Sequence, residues 1–202
     1  MTIKKLEVPF VTQIGIGGHV VGGTTHDDPT GCWFASACMV AYFFEKGPRK
    51  GNPALFQCAL PDGRLGHFAT GSPEANHIDP NHHEYIANKE QLEPVPDCNT
   101  DHNYTLEEVE TLLQRGPIFM YWMKPCPGRE PYGHASVIIG VQDAVYDDGT
   151  SNQEIVYHDP ESAPDSRMSI ADFNARRQKW FYALMRRKAD AVGQTNFTLV
   201  SG

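Results

Sequence analysis

The sequence predicts an α+β fold, with helical patterning toward the front of the chain and strand patterning toward the back. Three observations carry this. Residues 32–46, CWFASACMVAYFFEK, are apolar almost all round; a capping signal at Thr105 precedes one apolar helical face; and three strand-like runs follow between residues 118 and 159. Segregation of helices from strands, rather than their alternation, separates this class from a parallel βαβ arrangement. With 202 residues, the chain is expected to form one domain, 1–202, and to bury a core without disulfides or structural metal.

Taken in order, residues 6–14, LEVPFVTQI, read as a short extended lead-in, with Pro9 tolerated because an edge or first strand can lose a donor. Residues 15–31 carry six glycines and Pro29 and are expected to be a flexible loop. The segment from Cys32 to Lys46 is then a buried helix, capped by Thr30 and stopped by Gly47-Pro48. Residues 47–104 are rich in Pro, Gly, Asn, His and Asp, so loops and short helices are expected there, around 55–59 and 83–87. Thr105 and Glu108 form a capping box, with Leu106, Val109, Leu112 and Leu113 on one face and Gly116-Pro117 ending the helix.

Strands are predicted at 118–123, 134–142 and 154–159, the last two joined through Asp147-Asp148-Gly149. Ser169 caps a short helix to about Arg177, and 180–185 and 197–200 read as closing strands. A functional site is expected between the helical and strand-rich parts.

Composition narrows the function. Seventeen basic against 25 acidic residues give a net charge of -8, which argues against a phosphate-binding surface, so no nucleic acid partner is expected. The basic clusters Arg176-Arg177 to Lys179 and Arg186-Arg187-Lys188 read as solvated faces. No apolar run approaches the roughly 18 residues of a membrane span, so no membrane partner is expected. The first 13 residues lack the apolar stretch of an export signal, which makes the cytoplasm of the producing cell the expected location.

Five cysteines, at 32, 38, 58, 98 and 126, fit neither a disulfide framework nor a zinc finger. The redox state of Cys38, Cys58, Cys98 and Cys126 is left open. His77, His82 and His83, with Asp79 nearby, lack a regular spacing and read as a solvated loop rather than a metal site. No metal and no cofactor are expected.

The chemistry centres on Cys32. A thiol attacks a carbonyl well only as thiolate, which a helix N-terminus and a partner imidazolium both favour. Cys32 opens a buried helix just past a glycine-rich loop, and the other cysteines lack that setting. On position alone it would also pass for a small buried hydrophobe. His134 follows Gly133 and opens the most apolar strand, whereas histidines 19, 26, 67, 77, 82, 83 and 102 fall in turn-rich stretches. His158 is the rival base, but alternation along a strand sends His158 and Asp159 to opposite faces, which leaves Asp159 to orient His134. Otherwise Asp159 would be an ordinary Asp-Pro turn starter.

Gly31-Cys32-Trp33-Phe34-Ala35-Ser36, Gly116-Pro117, Gly133-His134-Ala135 and Tyr157-His158-Asp159-Pro160 occur in the order seen in papain-like cysteine peptidases. The chain most resembles the bacterial branch that includes double-glycine leader peptidases and the avirulence-type protease effectors of plant pathogens. The likeness spans roughly residues 8–185, with the middle unmatched. It implies Cys32 as nucleophile, His134 as base, Asp159 as orienter, and an upstream glutamine that donates to the oxyanion. Gln13 is the candidate for that donor, although it lies 19 residues before Cys32, further than the family usually allows, unless residues 15–30 loop out.

The resemblance implies hydrolysis of peptide bonds in a protein or peptide substrate, at a glycine-containing site if the leader-peptidase likeness extends that far. It also implies an effector or toxin carried into another cell by a signal-independent secretion system, with an immunity or inhibitor protein as a further partner. Gly17-Gly18 and Gly22-Gly23 raise self-processing, but read better as loop glycines, since a cut there would sever Gln13 from the body. The same triad order serves amidases, deamidases and transglutaminases, and a non-catalytic peptide-binding module is the alternative of a different class.

Overall fold

A large antiparallel sheet forms the frame on which the elements of the chain converge. In the computed structural model, the residues described are 2–13, 20–21, 24–25, 32–44, 84, 87–88, 90–145, 151–191 and 195–201. The strands are β1 (Thr2–Lys5), β2 (Val20–Val21), β3 (Thr24–Thr25), β4 (Leu92–Pro94), β5 (Ile118–Cys126), β6 (Arg129–Val145), β7 (Ser151–His158), β8 (Ser166–Ser169), β9 (Leu184–Arg187) and β10 (Val200–Ser201). The helices are α1 (Cys32–Phe44), α2 (Leu106–Leu113) and α3 (Ile170–Arg176). Three helices and an eight-stranded antiparallel sheet among the described residues make the fold α+β.

The long strand β6 organises the sheet. Its first half pairs with β5, from Cys126↔Arg129 to Ile118↔Ile138, and its second half pairs with β1, from Lys5↔Gly140 to Thr2↔Asp143. Along its other edge runs β7, in register from Val137↔His158 to Val145↔Ser151 with an irregularity between Ile138 and Gly140. Beyond β5 lie β9 and β4, beyond β7 lies β8, and beyond β1 lies β10. Gly140 sits where β1 crosses onto β6, and a Cβ there would fall 2.6 Å from the Lys4 carbonyl oxygen and 2.6 Å from Lys5 Cβ. Only a residue without a side chain admits β1 that closely.

Helix α1 packs on β6 and β5. It buries Ala35, Ala37, Cys38, Met39, Val40 and Ala41, as its all-round apolarity requires. On its two faces the sheet buries Phe119, Tyr121, Ile138, Ile139 and Ile155. Each large apolar side chain so placed contributes about 1.5–3 kcal/mol relative to exposure. The capping box of α2 forms, Glu108 N–H donating to Thr105 Oγ1 at 3.2 Å and Thr105 N–H to Glu108 Oε2 at 2.7 Å. Ser169 caps α3 by accepting from the Asp172 amide at 3.0 Å. No described helix is long and apolar enough to cross a membrane.

Several elements depart from the sequence reading. The lead-in strand lies at Thr2–Lys5 rather than 6–14: the last ladder bond runs from Leu6 N–H to the Ile139 carbonyl at 2.8 Å, Val8 N–H turns back to Leu6 at 3.0 Å, and Pro9 has no N–H to continue. The stretch expected to be only loop contains the pair β2 and β3, where β-branched Val and Thr flank Gly22-Gly23. Strand β4 lies within the segment expected to be loops and short helices, and β8 was not expected. The closing strand is Leu184–Arg187, because Ala183 N–H turns back to the Trp180 carbonyl at 2.9 Å.

The basic clusters are not wholly solvated either. Arg177 is buried and donates to the carbonyls of Cys98, Thr100 and His102 at 2.8, 2.9 and 2.6 Å, tying three loop acceptors that need a donor. Arg186 lies 3.5 Å from Glu93, its partner across the β4–β9 ladder. Cys32, Cys38, Cys98 and Cys126 are thiols outside any disulfide. Thr30, Gly47-Pro48, Cys58, His77, Asp79, His82, His83 and Asp147-Asp148-Gly149 lie outside the described residues.

Candidate active site

β6 carries His134 and β5 lies opposite, with Trp122 facing His134 and Lys124 facing Tyr132 in the ladder. Alternation puts His134 and Tyr132 on one side of β6, and their partners Trp122 and Lys124 on the same side of β5. The His134 ring is buried, with the Trp122 ring 6.1 Å away at 69° and the Tyr132 ring 5.9 Å away at 72°. Trp122 is itself fixed by donating from Nε1 to Ser136 Oγ at 3.1 Å. The imidazole therefore has little freedom to turn.

Asp159 is the first residue past β7. A tight turn holds it, with Asp159 N–H donating to the Ala163 carbonyl and Ser162 N–H to the Asp159 carbonyl, both at 3.1 Å. Its Oδ1 lies 2.7 Å from His134 Nε2, and the Glu161 amide donates to the same oxygen at 3.0 Å. With Nε2 on the carboxylate, Nδ1 is the ring nitrogen turned away from Asp159, and Cys32 lies near enough to act on the proton affinity of the ring. Cys32 is the first residue of α1, half-buried against the core.

The three residues singled out in the sequence thus meet in one place. Burial alone would lower the His134 pKa, but hydrogen bonds to Asp159 and Cys32 and their charges outweigh it, and the pKa is pushed up to about 9. Burial opposes ionisation of Asp159 too, yet the hydrogen bonds and charges of His134 and Lys124 hold its carboxyl well below the usual range.

The sequence reading missed a second layer of this site. Lys124 Nζ lies 2.6 Å from Asp159 Oδ2 and 2.7 Å from Glu161 Oε2, and donates to Ser162 Oγ at 3.0 Å. The Tyr132 hydroxyl donates to Glu161 Oε2. Against the cost of burial, the two carboxylates raise the Lys124 pKa, and Lys124 with Tyr132 lowers that of Glu161. The only sequence signal was a lysine two residues after Trp122 at the end of an apolar strand. His134, Asp159 and Glu161 also have the spacing of a metal cluster, their ligand atoms lying within 4.8 Å of one another. A cation would have to compete there with the Lys124 ammonium, which already bridges both carboxylates, so the donor set fits an ion-pair network better than a metal.

His158 is excluded as a base by its bonds. Its Nδ1 accepts from the Asp165 amide at 3.2 Å, which leaves the proton on Nε2 to be donated to the Val8 carbonyl at 2.9 Å. Burial lowers its pKa, so it acts as a neutral tie between the lead-in and the end of β7. That tie helps seat Gln13, which is buried and whose amide donates to the Pro160 carbonyl at 2.8 Å, one residue past Asp159. Residues 14–19, in the stretch invoked to let Gln13 stay in place, lie outside the described residues.

The family model for the papain-like cysteine protease AvrRpt2 matches residues 18–178. That span includes Cys32, His134, Asp159, Lys124 and Glu161, and begins five residues after Gln13. With four fifths of its length matched, the chain belongs to the papain-like cysteine proteases of the AvrRpt2 type, a cysteine peptidase and hence a hydrolase.

Proposed function

We propose that Cys32, His134 and Asp159 form the catalytic triad of a peptidase that cleaves a protein substrate through a thioester. The observation that carries this is the buried His134 ring fixed on Asp159 Oδ1 at 2.7 Å, with Cys32 near enough to raise its pKa. In the reaction the Cys32 proton resides on His134 Nδ1, and Sγ attacks the scissile carbonyl carbon. The imidazolium then gives its proton to the departing amine, leaving an acyl-enzyme. His134 next takes a proton from water, the hydroxide displaces Sγ, and the acid product leaves with the thiolate restored. Asp159 stays ionised throughout and fixes the tautomer.

The oxyanion of each tetrahedral intermediate is assigned to the Cys32 backbone amide and to the Gln13 side chain. The first amides of a helix have no intrahelical acceptor, which supports the former. The anchoring of Gln13 beside the Asp159 turn supports the latter. The proposal extends to an effector that acts inside a cell other than its producer, on a protein with a glycine near the scissile bond, and held in check by an inhibitor protein.

The test is the rate of Cys32 alkylation against pH, read by mass spectrometry, in the native protein and in His134→Ala. Fast reaction persisting below about pH 7 and lost in the variant is expected, since an unassisted thiol ionises near 8.5. Slow reaction, unchanged by the variant, favours the non-catalytic peptide-binding module. In cells expressing the protein, harm that disappears in Cys32→Ala is expected of an effector. Amines incorporated into substrate without chain cleavage would instead indicate a transglutaminase.

A further inference from the structure

Asp159 uses its two oxygens differently: Oδ1 takes His134 Nε2 and the Glu161 amide, and Oδ2 takes Lys124. Glu161, two residues along the same turn, points its own carboxylate at the same ammonium. The Lys124 side chain is 15% exposed and that of Asp159 3%, so this cation sits where solvent screens it weakly. Two carboxylates this close would repel each other and draw protons if no cation lay between them. Lys124 reaches them because the β5–β6 register sets it opposite Tyr132, two places from His134 on the same side of the sheet.

We propose that Lys124 is a positioning residue of the site, which by holding Asp159 Oδ2 while sharing itself with Glu161 fixes the carboxylate on His134 and sets how tightly that ring keeps its proton. This rests on the triad reading above. The groups facing His134 form a row of alternating charge: Cys32 from α1, His134 itself, Asp159 after β7, Lys124 from β5, and Glu161. Tyr132 from β6 closes the row on Glu161, its ionisation disfavoured by burial first, then by the Glu161 and Asp159 carboxylates, with Cys126 of β5 a lesser neighbour. Tyr157 of β7 meets Trp122 edge to face with its ring centroid 5.7 Å away, and burial keeps it protonated. His158 belongs to the other side, bound to Val8 and Asp165.

Lys124 contributes the one lasting positive charge in this row, so its loss leaves His134 facing more net negative charge. Loss of Glu161 does the reverse. Opposite movements from two neighbouring substitutions are what a purely structural contact would not produce.

The experiment follows the His134 ring by NMR across pH in wild type, Lys124→Met, Lys124→Arg and Glu161→Gln, with the resonance assigned by its loss in His134→Gln. Lys124→Met should raise the midpoint by about one pH unit, from the interaction of two partly screened charges. Glu161→Gln should lower it, and Lys124→Arg should keep it near wild type. An unchanged or lowered midpoint in folded Lys124→Met overturns the inference. If Lys124→Met fails to fold, Glu161→Gln decides, and an unmoved midpoint there overturns it as well. Failure of the triad reading is separable, because it shows in the wild-type Cys32 alkylation profile; a wild type that passes that test beside an unmoved Lys124→Met titration sinks this inference alone.

Discussion

Single residues here are governed by what their buried polar atoms touch. His134, pushed up to about 9 from an unperturbed 6.5, binds its proton more tightly in the folded chain than in the unfolded one. A raised folded pKa contributes stability that is complete below the unfolded value and lost as pH rises through the folded one. Thermal melts should therefore show a Tm that declines between about pH 6.5 and pH 9, and His134→Gln should flatten that decline. A decline that survives in the variant would mean that another group is responsible. Cys32 and Asp159 were legible because each stands at an element boundary, and His134 because it follows a glycine at the head of the most apolar run, although β6 itself begins five residues earlier. Lys124, Glu161 and Tyr132 were not, because what joins them is the pairing of residue 124 with residue 132 and the return of β7, and neither register nor return is local.

At the level of elements, local signals and long-range pairing divided the outcome. α2 and α3 have caps written within three residues of their starts, so both were readable. β4, β8, β9 and β10 are two to four residues long. At that length there is no period to detect, and partners far along the chain decide where pairing occurs. The strand β1 depends on a single position in the same way. Gly140→Ala puts a methyl group within 2.6 Å of the backbone of β1, which has no room to yield without leaving its ladder. A loss of about 1–3 kcal/mol is expected in denaturant unfolding, against little change for Gly133→Ala, where a Cβ meets nothing within 4 Å. Equal costs at the two glycines would refute the close-approach account.

For the molecule as a whole, the matched segment and the working structure are not the same length. Residues 18–178 hold Cys32, His134 and Asp159 but omit β1, which pairs with β6, β9, which pairs with β5, and β10, which pairs with β1. They also omit the Tyr121 N–H bond to the Ala183 carbonyl at 2.8 Å. A protein trimmed to 18–178 should expose sheet edges and apolar core, bind a hydrophobic dye and unfold without a sharp transition. A cooperative melt near that of the whole chain would show those strands to be accessory. The α+β class was legible at this scale from the order of helical and strand-like runs alone. The central place of β6 was not, because a strand with two partners in succession along one edge and a third along the other looks, in sequence, like any long apolar run.

That triple pairing of β6 also has a meaning in time. Fraying begins where a strand is bonded on one side only, at β4, β8 and β10 on the rims, and such openings come and go without disturbing the centre. The middle of β6 is bonded on both sides, so its amides exchange with solvent only when the sheet itself parts. His134 stands on that strand, three residues before Val137, where the pairing on both edges begins. The protein can breathe at its margins while the strand that carries His134 keeps its place from one opening to the next.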